Sequence, residues 1–270
     1  MRKTTFAVLG AGSWGTAIAI HLARASHRVL LWGKETHALE TMAQHRMNNP
    51  YLPGIPFPDT LTPTALLSEC LAHADYVCMA VPSHAFHTVL NQMSPPKQGL
   101  LWITKGMDAK THLLFSDLVQ KQWGAHYPCA ILAGPSFALE VSKGLPAALT
   151  LACNHPAYQE KLIPYFYQGT MRIYPSPDLI GVQICGIMKN VLAIACGISD
   201  GLAFGANTKA ALITRGLAEM TRLGQAMGAQ SHTFMGLAGM GDLVLTCTDN
   251  QSRNRRFGLL LGQGHSQEAT

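Results

Sequence analysis

Residues 4 to 25, TTFAVLGAGSWGTAIAIHLARA, constrain the fold more than any other stretch of the chain. An apolar run ends at Leu9, GAGSWG follows with the spacing GxGxxG, and a helical pattern begins directly after Gly15. With 25 glycines in 270 residues the spacing alone is a weak signal, and the strand before it and helix after it make it specific. In that setting Gly10 permits a tight turn, Gly12 lets the backbone approach a pyrophosphate, and Gly15 lets the helix pack closely on the sheet. The N–H groups at the helix start then attract phosphate.

The rest of the first half repeats the rhythm. Short apolar or β-branched runs at 4–9, 27–32, 75–81, 99–104, 128–133 and 147–152 alternate with helical patterns, as in a parallel sheet covered on both faces. The stretch 48–63, NNPYLPGIPFPDTLTP, holds five prolines and is predicted to wrap the surface without regular structure. From about residue 178 the strand signal gives way to long apolar and alanine-rich helical patterns. The predicted fold class is α/β: a doubly wound Rossmann-type domain over 1–188, then an all-α domain over 189–270, with ligands meeting in a cleft between them. An apolar fraction of 48% is ample for such cores and fits a soluble globular protein.

Cofactor choice is read at the end of the second strand, where NAD-binding folds place an acid on the ribose hydroxyls. Here that place is Gly33, followed by Lys34, which favours a 2′-phosphate and hence NADP(H), with NAD(H) as the alternative. Three further strand ends, AVPSH (80–84), ITKG (103–106) and AGPSFA (133–138), are expected to line one crevice, with Lys105 as a cation at its floor.

The most apolar segment, 179–198, carries Lys189 and Asn190 at its middle, which fits a buried helix better than a membrane span. Small and apolar neighbours strip water from the Lys189 ammonium and tune it for proton transfer near neutral pH. Asp242, after the glycines of AGMGDL, is equally a site carboxylate or a helix cap. Near the end of the chain, TCTDNQSRNRRFG (246–258) gathers Arg253, Arg255 and Arg256 around an anion site.

A net charge of +5 suits nucleic acid, a membrane surface or a small phosphorylated substrate. The arginine run is short and has only Phe257 beside it, so a stacking nucleic-acid surface is disfavoured. The seven cysteines form no CxxC pair and read as free thiols of a reducing, cytoplasmic protein. His84 and His87 lie three apart without a carboxylate or cysteine at ligand spacing, so no metal is expected.

Taken together, GAGSWGTAIA, VPSH, TKG, AGPSFA, GVQICGIMKN, SDGLAFGANTKAALITRGLAEMTRLG and GLAGMGDLVLTCTDNQSRNRRFG resemble the bacterial NAD(P)-dependent glycerol-3-phosphate dehydrogenase family. The resemblance implies interconversion of dihydroxyacetone phosphate and sn-glycerol 3-phosphate for phospholipid synthesis. It implies Lys189 as general acid/base, Lys105 in contact with substrate and cofactor, and Gly134, Ser136 and Asp242 at the substrate. Ser252, Arg253 and Asn254 match the substrate-binding run, with Arg253 also reaching the cofactor. Ser13, Trp14 and Ala138 match cofactor contacts, beside Gly10, Gly12, Gly15 and Lys34. No nucleic acid and no membrane insertion are implied, and a homodimer is expected. Family members continue past the position of Thr270, so the helical domain is expected to be incomplete at its C-terminus. The competing readings are a two-domain hydroxyacid or phosphogluconate-type dehydrogenase and a non-catalytic nucleotide-sensing protein.

Overall fold

The computed structural model describes residues 3–266; the last positions of the expected helical domain, 267–270, lie outside the described residues. The chain divides into two compact units. One consists of the chain up to Leu132 together with Phe137–Pro177, the other of Ala133–Ser136 with the chain described from Asp178 onward.

The first unit is built on β1 (Thr5–Leu9), β2 (Arg28–Trp32), β3 (Leu61–Thr64), β4 (Tyr76–Met79), β5 (Leu100–Trp102), β6 (Cys129–Ala133, whose last residue falls in the second unit), β7 (Ala147–Cys153) and β8 (Met171–Ser176). Helices α1 (Ser13–Arg24), α2 (Thr36–His45), α3 (Leu67–His73), α4 (Ser83–Leu90), α5 (Phe115–Trp123), α6 (Ala138–Lys143) and α7 (Pro156–Phe166) connect them. The eight strands lie in the order β3-β2-β1-β4-β5-β6-β7-β8. Pairings from β3 across to β6, and β7 with β8, run parallel. Strands such as VLLW and CAILA are buried along their length, because helices cover both faces of a parallel sheet and leave no wet side to alternate with. Strand order reverses between β1 and β4, the switch point where open α/β sheets bind ligands outside the strand ends.

Two strands depart from the sequence expectation. β3 takes up the last three residues of the proline-rich stretch and Thr64: the N–H groups of Val29 and Gly33 bond the carbonyls of Thr60 and Thr64, so even-numbered positions face β2 and Pro63 faces outward. A proline is tolerated there because an outer strand needs no donor on its free side. β8 (MRIYPS) was not expected; it too is an outer strand, with only Met171 and Ile173 buried and Pro175 near its end.

The second unit contains α8 (Leu179–Gly201), α9 (Gly205–Ala226), the short α10 (Ser231–Phe234), a π-helical turn (Leu237–Gly241), α11 (Asp242–Thr248) and α12 (Arg253–Gly262). A division at 188/189 would cut α8 in its middle; the contacts divide the chain between Pro177 and Asp178 instead. Asp178 caps α8 by accepting Gly181 N–H at 2.8 Å, and its other oxygen accepts Gln230 N–H at 2.9 Å and Thr233 Oγ1 at 2.6 Å. One carboxylate thus anchors the helix start to the α9–α10 connection. α8 has the length and hydropathy of a membrane-crossing helix, but more than half of its most apolar window is packed inside the fold. All seven cysteines are buried free thiols.

Candidate active site

The glycine turn sorts its three glycines by task. Gly10 has φ +129°, and a Cβ there would strike the carbonyl of Ala80 after β4. A Cβ at Gly15 would strike the carbonyl of Gly10, so both positions are packed against backbone. A Cβ at Gly12 meets nothing within 4 Å. That side of the turn is open, and Gly12 caps α1 without a side chain, so the helix start at Ser13 and Trp14 presents its N–H groups to an anion. The residues fit a dinucleotide. Asn48, fully buried, pins the turn by donating to the Ala11 carbonyl at 2.9 Å and Thr16 Oγ1 at 2.8 Å. A Cβ at Gly33 would stand 3.2 Å from that of Ala11, so a side chain there would press on the turn, while Lys34 beside it is exposed.

Half-buried Lys105 follows β5. Thr104 Oγ1 donates to the Val81 carbonyl at 2.7 Å, tying this strand end to the one beside it. Asp108 closes the next turn on Thr111, accepting its N–H at 2.9 Å and its hydroxyl at 2.7 Å, with His87 Nδ1 at 3.5 Å. Burial pushes the Asp108 carboxyl up, but Thr111 and His87 outweigh it and hold the group below its usual value. Ala138 opens α6, half-buried.

In the helical unit Lys189 is 6% exposed and donates Nζ–H to Asp242 Oδ1 at 2.6 Å and to Thr246 Oγ1 at 3.0 Å. Thr246 spends its own hydroxyl proton on the Asp242 carbonyl at 2.6 Å, which leaves its oxygen facing the ammonium as an acceptor. The surroundings of Lys189 are therefore not the purely apolar ones expected; α11 supplies a compensating charge. A buried pair of this kind contributes little net stability, yet removing one partner costs about 3–5 kcal/mol. Gly134 (φ +146°) accepts the Ser136 hydroxyl at 3.1 Å, and Pro135 between them lies 3.5 Å from where a Cβ of Gly241 would stand, next to Asp242.

The arginine run divides. Ser252 is buried and caps α12, its Oγ accepting Arg255 N–H at 3.2 Å. Arg253 is exposed at the helix start, and Asn254 Nδ2 donates to Asn190 Oδ1 at 2.8 Å. Arg255 is buried and bonds Asp200 and Asn250, so it braces the helices. Thr246, Asn48 and Asp200 were not singled out from the sequence. Only Thr246 had a signal, since it lies four residues after Asp242 and so shares its helix face.

A doubly wound sheet with a dinucleotide turn, together with a helical unit that holds a buried, carboxylate-paired lysine, defines a two-unit nicotinamide-dependent dehydrogenase. Family models for the NAD-dependent glycerol-3-phosphate dehydrogenase N-terminus and C-terminus match residues 5–159 and 178–270, and the chain belongs to that family. A Legionella pneumophila protein named glycerol-3-phosphate dehydrogenase [NAD(P)+] is 60% identical, the match covering 97% of this chain and 80% of the relative. An Escherichia coli protein of the same name is 51% identical, over 97% of this chain and 79% of its own length. The crystal structure of glycerol-3-phosphate dehydrogenase from Coxiella burnetii superposes with a TM-score of 0.94 at 46% identity, covering 98% of this chain and 82% of that one.

Proposed function

We propose that the chain interconverts dihydroxyacetone phosphate and sn-glycerol 3-phosphate with NADP(H) or NAD(H), supplying glycerol 3-phosphate for phospholipid synthesis. The observation that carries this reading is the Lys189 ammonium held by Asp242 and Thr246, on the helix whose next residue bonds Asn254 of the arginine run. When bound, the nicotinamide supplies or takes the hydride at the substrate's second carbon. Lys189 moves the proton: as ammonium it donates Nζ–H to the carbonyl oxygen that gains charge, and as amine it takes the hydroxyl proton back in the other direction. Asp242 and Thr246 occupy two of its N–H directions and so aim the ammonium. Arg253 and Asn254 grip the phosphate at the N-terminus of α12, where the helix dipole adds to the guanidinium charge. Ser252 keeps its hydroxyl proton to donate, since its oxygen accepts from Arg255 N–H. Phosphate binding, remote from the reacting carbon, is spent on orienting it.

Lys105, Gly134 and Ser136 complete the substrate contacts. Gly10, Gly12, Ser13, Trp14, Gly15, Lys34, Lys105, Ala138 and Arg253 hold the cofactor. The protein works in the cytoplasm as a homodimer. The test is oxidation of NADPH and NADH with dihydroxyacetone phosphate, run beside 2-oxoacids and 6-phosphogluconate with the matching cofactor forms. Turnover of the phosphorylated ketone supports the reading; its absence, with a 2-oxoacid or phosphogluconate consumed instead, overturns it.

A further inference from the structure

α8 and α12 meet with almost nothing between their backbones. Gly197 and Gly201 lie one turn apart on α8, Gly258 and Gly262 one turn apart on α12. A Cβ at Gly197 would strike the carbonyl of Arg255, and one at Gly258 the carbonyl of Ile194; Gly201 and Gly262 face Leu259 and Ile198 in the same way. Backbones in direct contact leave no flexible side chain to absorb a slip, so the register of the two helices is discrete.

Arg255 locks that register. Its Nη2 donates to Asp200 Oδ2 on α8, its Nη1 to Asn250 Oδ1 in the loop entering α12, and its backbone N–H to the Ser252 cap. Lys209 Nζ holds the other oxygen of Asp200 at 2.8 Å. Burial opposes ionisation of Asp200, yet the hydrogen bonds from Lys209 and Arg255 keep its carboxyl below the usual value. The helices so locked carry the two ends of the proposed chemistry: Lys189 and Asn190 on α8, Arg253 and Asn254 at the start of α12.

We propose that Arg255 is a positioning residue that fixes the span between proton-transferring Lys189 and phosphate-gripping Arg253 and Asn254, and thereby selects ketones one methylene away from their phosphate ester. Both of its Nη groups are committed, to Asn250 and Asp200, and its Nε is buried without a partner, so it acts through the helix rather than on the substrate. This inference rests on the proposed function.

The test uses Arg255→Gln, Arg255→Lys and Asp200→Asn in the full chain. Steady-state constants are measured for dihydroxyacetone phosphate, for its one-carbon-longer homologue 4-hydroxy-3-oxobutyl phosphate, and for NADPH, with melting temperatures recorded. Arg255→Gln and Asp200→Asn should raise KM for dihydroxyacetone phosphate about 10-fold or more and lower kcat, the rate loss approaching the ~100-fold that an ångström of misplacement costs. Both should narrow the preference over the homologue and raise KM for NADPH less than KM for dihydroxyacetone phosphate, since Arg253 is the one proposed cofactor contact on α12, and Arg255→Lys should fall between them and the unaltered protein. A lowered melting temperature or active fraction with KM and the substrate preference intact assigns Arg255 a purely structural role and overturns the inference. A raised KM in the Arg255 variants but not in Asp200→Asn means a direct phosphate contact and overturns it too. If Arg255→Gln does not fold, Asp200→Asn and Arg255→Lys decide by the same measures. Failure of the unaltered protein to reduce dihydroxyacetone phosphate removes the functional reading itself; normal reduction with unmoved variants removes only this inference.

Discussion

The glycine turn of the sheet unit and the glycine seam of the helical unit use the same residue for opposite ends. At Gly12 the missing side chain leaves open space beside a helix start, so the backbone can be approached by something other than protein. At Gly197 and Gly258 the space is filled at once by the backbone of the other helix. One glycine leaves its backbone open to approach and the others set register, and the two uses should separate under substitution.

The largest effect expected is on turnover, in the helical unit. Lys189→Ala should lower kcat by about 100-fold or more while NADPH affinity, measured by fluorescence titration, stays near that of the unaltered protein. Unchanged kcat would take Lys189 out of the mechanism. Next comes the seam: Gly258→Ala forces a methyl onto the Ile194 carbonyl and should destabilise the fold by about 1–3 kcal/mol in urea unfolding. The turn should behave in the reverse way, with Gly12→Ala costing less urea stability than Gly258→Ala, only the loss of a glycine N-cap, but weakening NADPH binding about 10-fold, a cost of ~1.4 kcal/mol. Equal stability losses at both glycines would erase the distinction drawn between them.

The smallest effect concerns His27, which packs edge-on against Phe6 and Tyr165 with neither ring nitrogen hydrogen-bonded. Burial holds its pKa below 6.5. The unfolded chain therefore takes up the proton first as pH falls through 6.5, and the stability present above that value is lost toward the lower folded pKa. His27→Phe should flatten the decline in melting temperature between about pH 7 and 5. It should not abolish the decline, because His21 is likewise shifted down by burial. An unaltered slope would show that His27 does not titrate there.

What was legible in the sequence follows the reach of each interaction. The glycine turn could be read because its strand, turn and helix lie within about 20 consecutive residues, each reinforcing the others. The apolar strands could be read because burial on both faces leaves a continuous signature. β3 and β8 could not, since outer strands are partly exposed and tolerant of proline, which lowers the local cues. Lys189 stood out because charge in an apolar helix is rare; its partners Asp242 and Thr246 come from a helix more than 50 residues away, and nothing local pairs them. The same distance hid the Arg255 to Asp200 brace and the seam, whose two glycine pairs are unremarkable until α8 and α12 are laid together.

The outward prolines of β3 and β8 bear on how copies of the protein meet. A sheet this wide ends in two rows of unsatisfied donors and acceptors, each a template on which a stray strand could dock. Pro63 removes a donor from one row; at the other end Ala147 N–H bonds the Thr170 carbonyl, so odd-numbered positions of β8 point away from β7 and Pro175 removes a donor there. Both borders are thus poor seeds for a ninth strand. In a crowded cell, or during refolding at high concentration, growth of the sheet from chain to chain is blunted at either margin by a single ring that cannot donate.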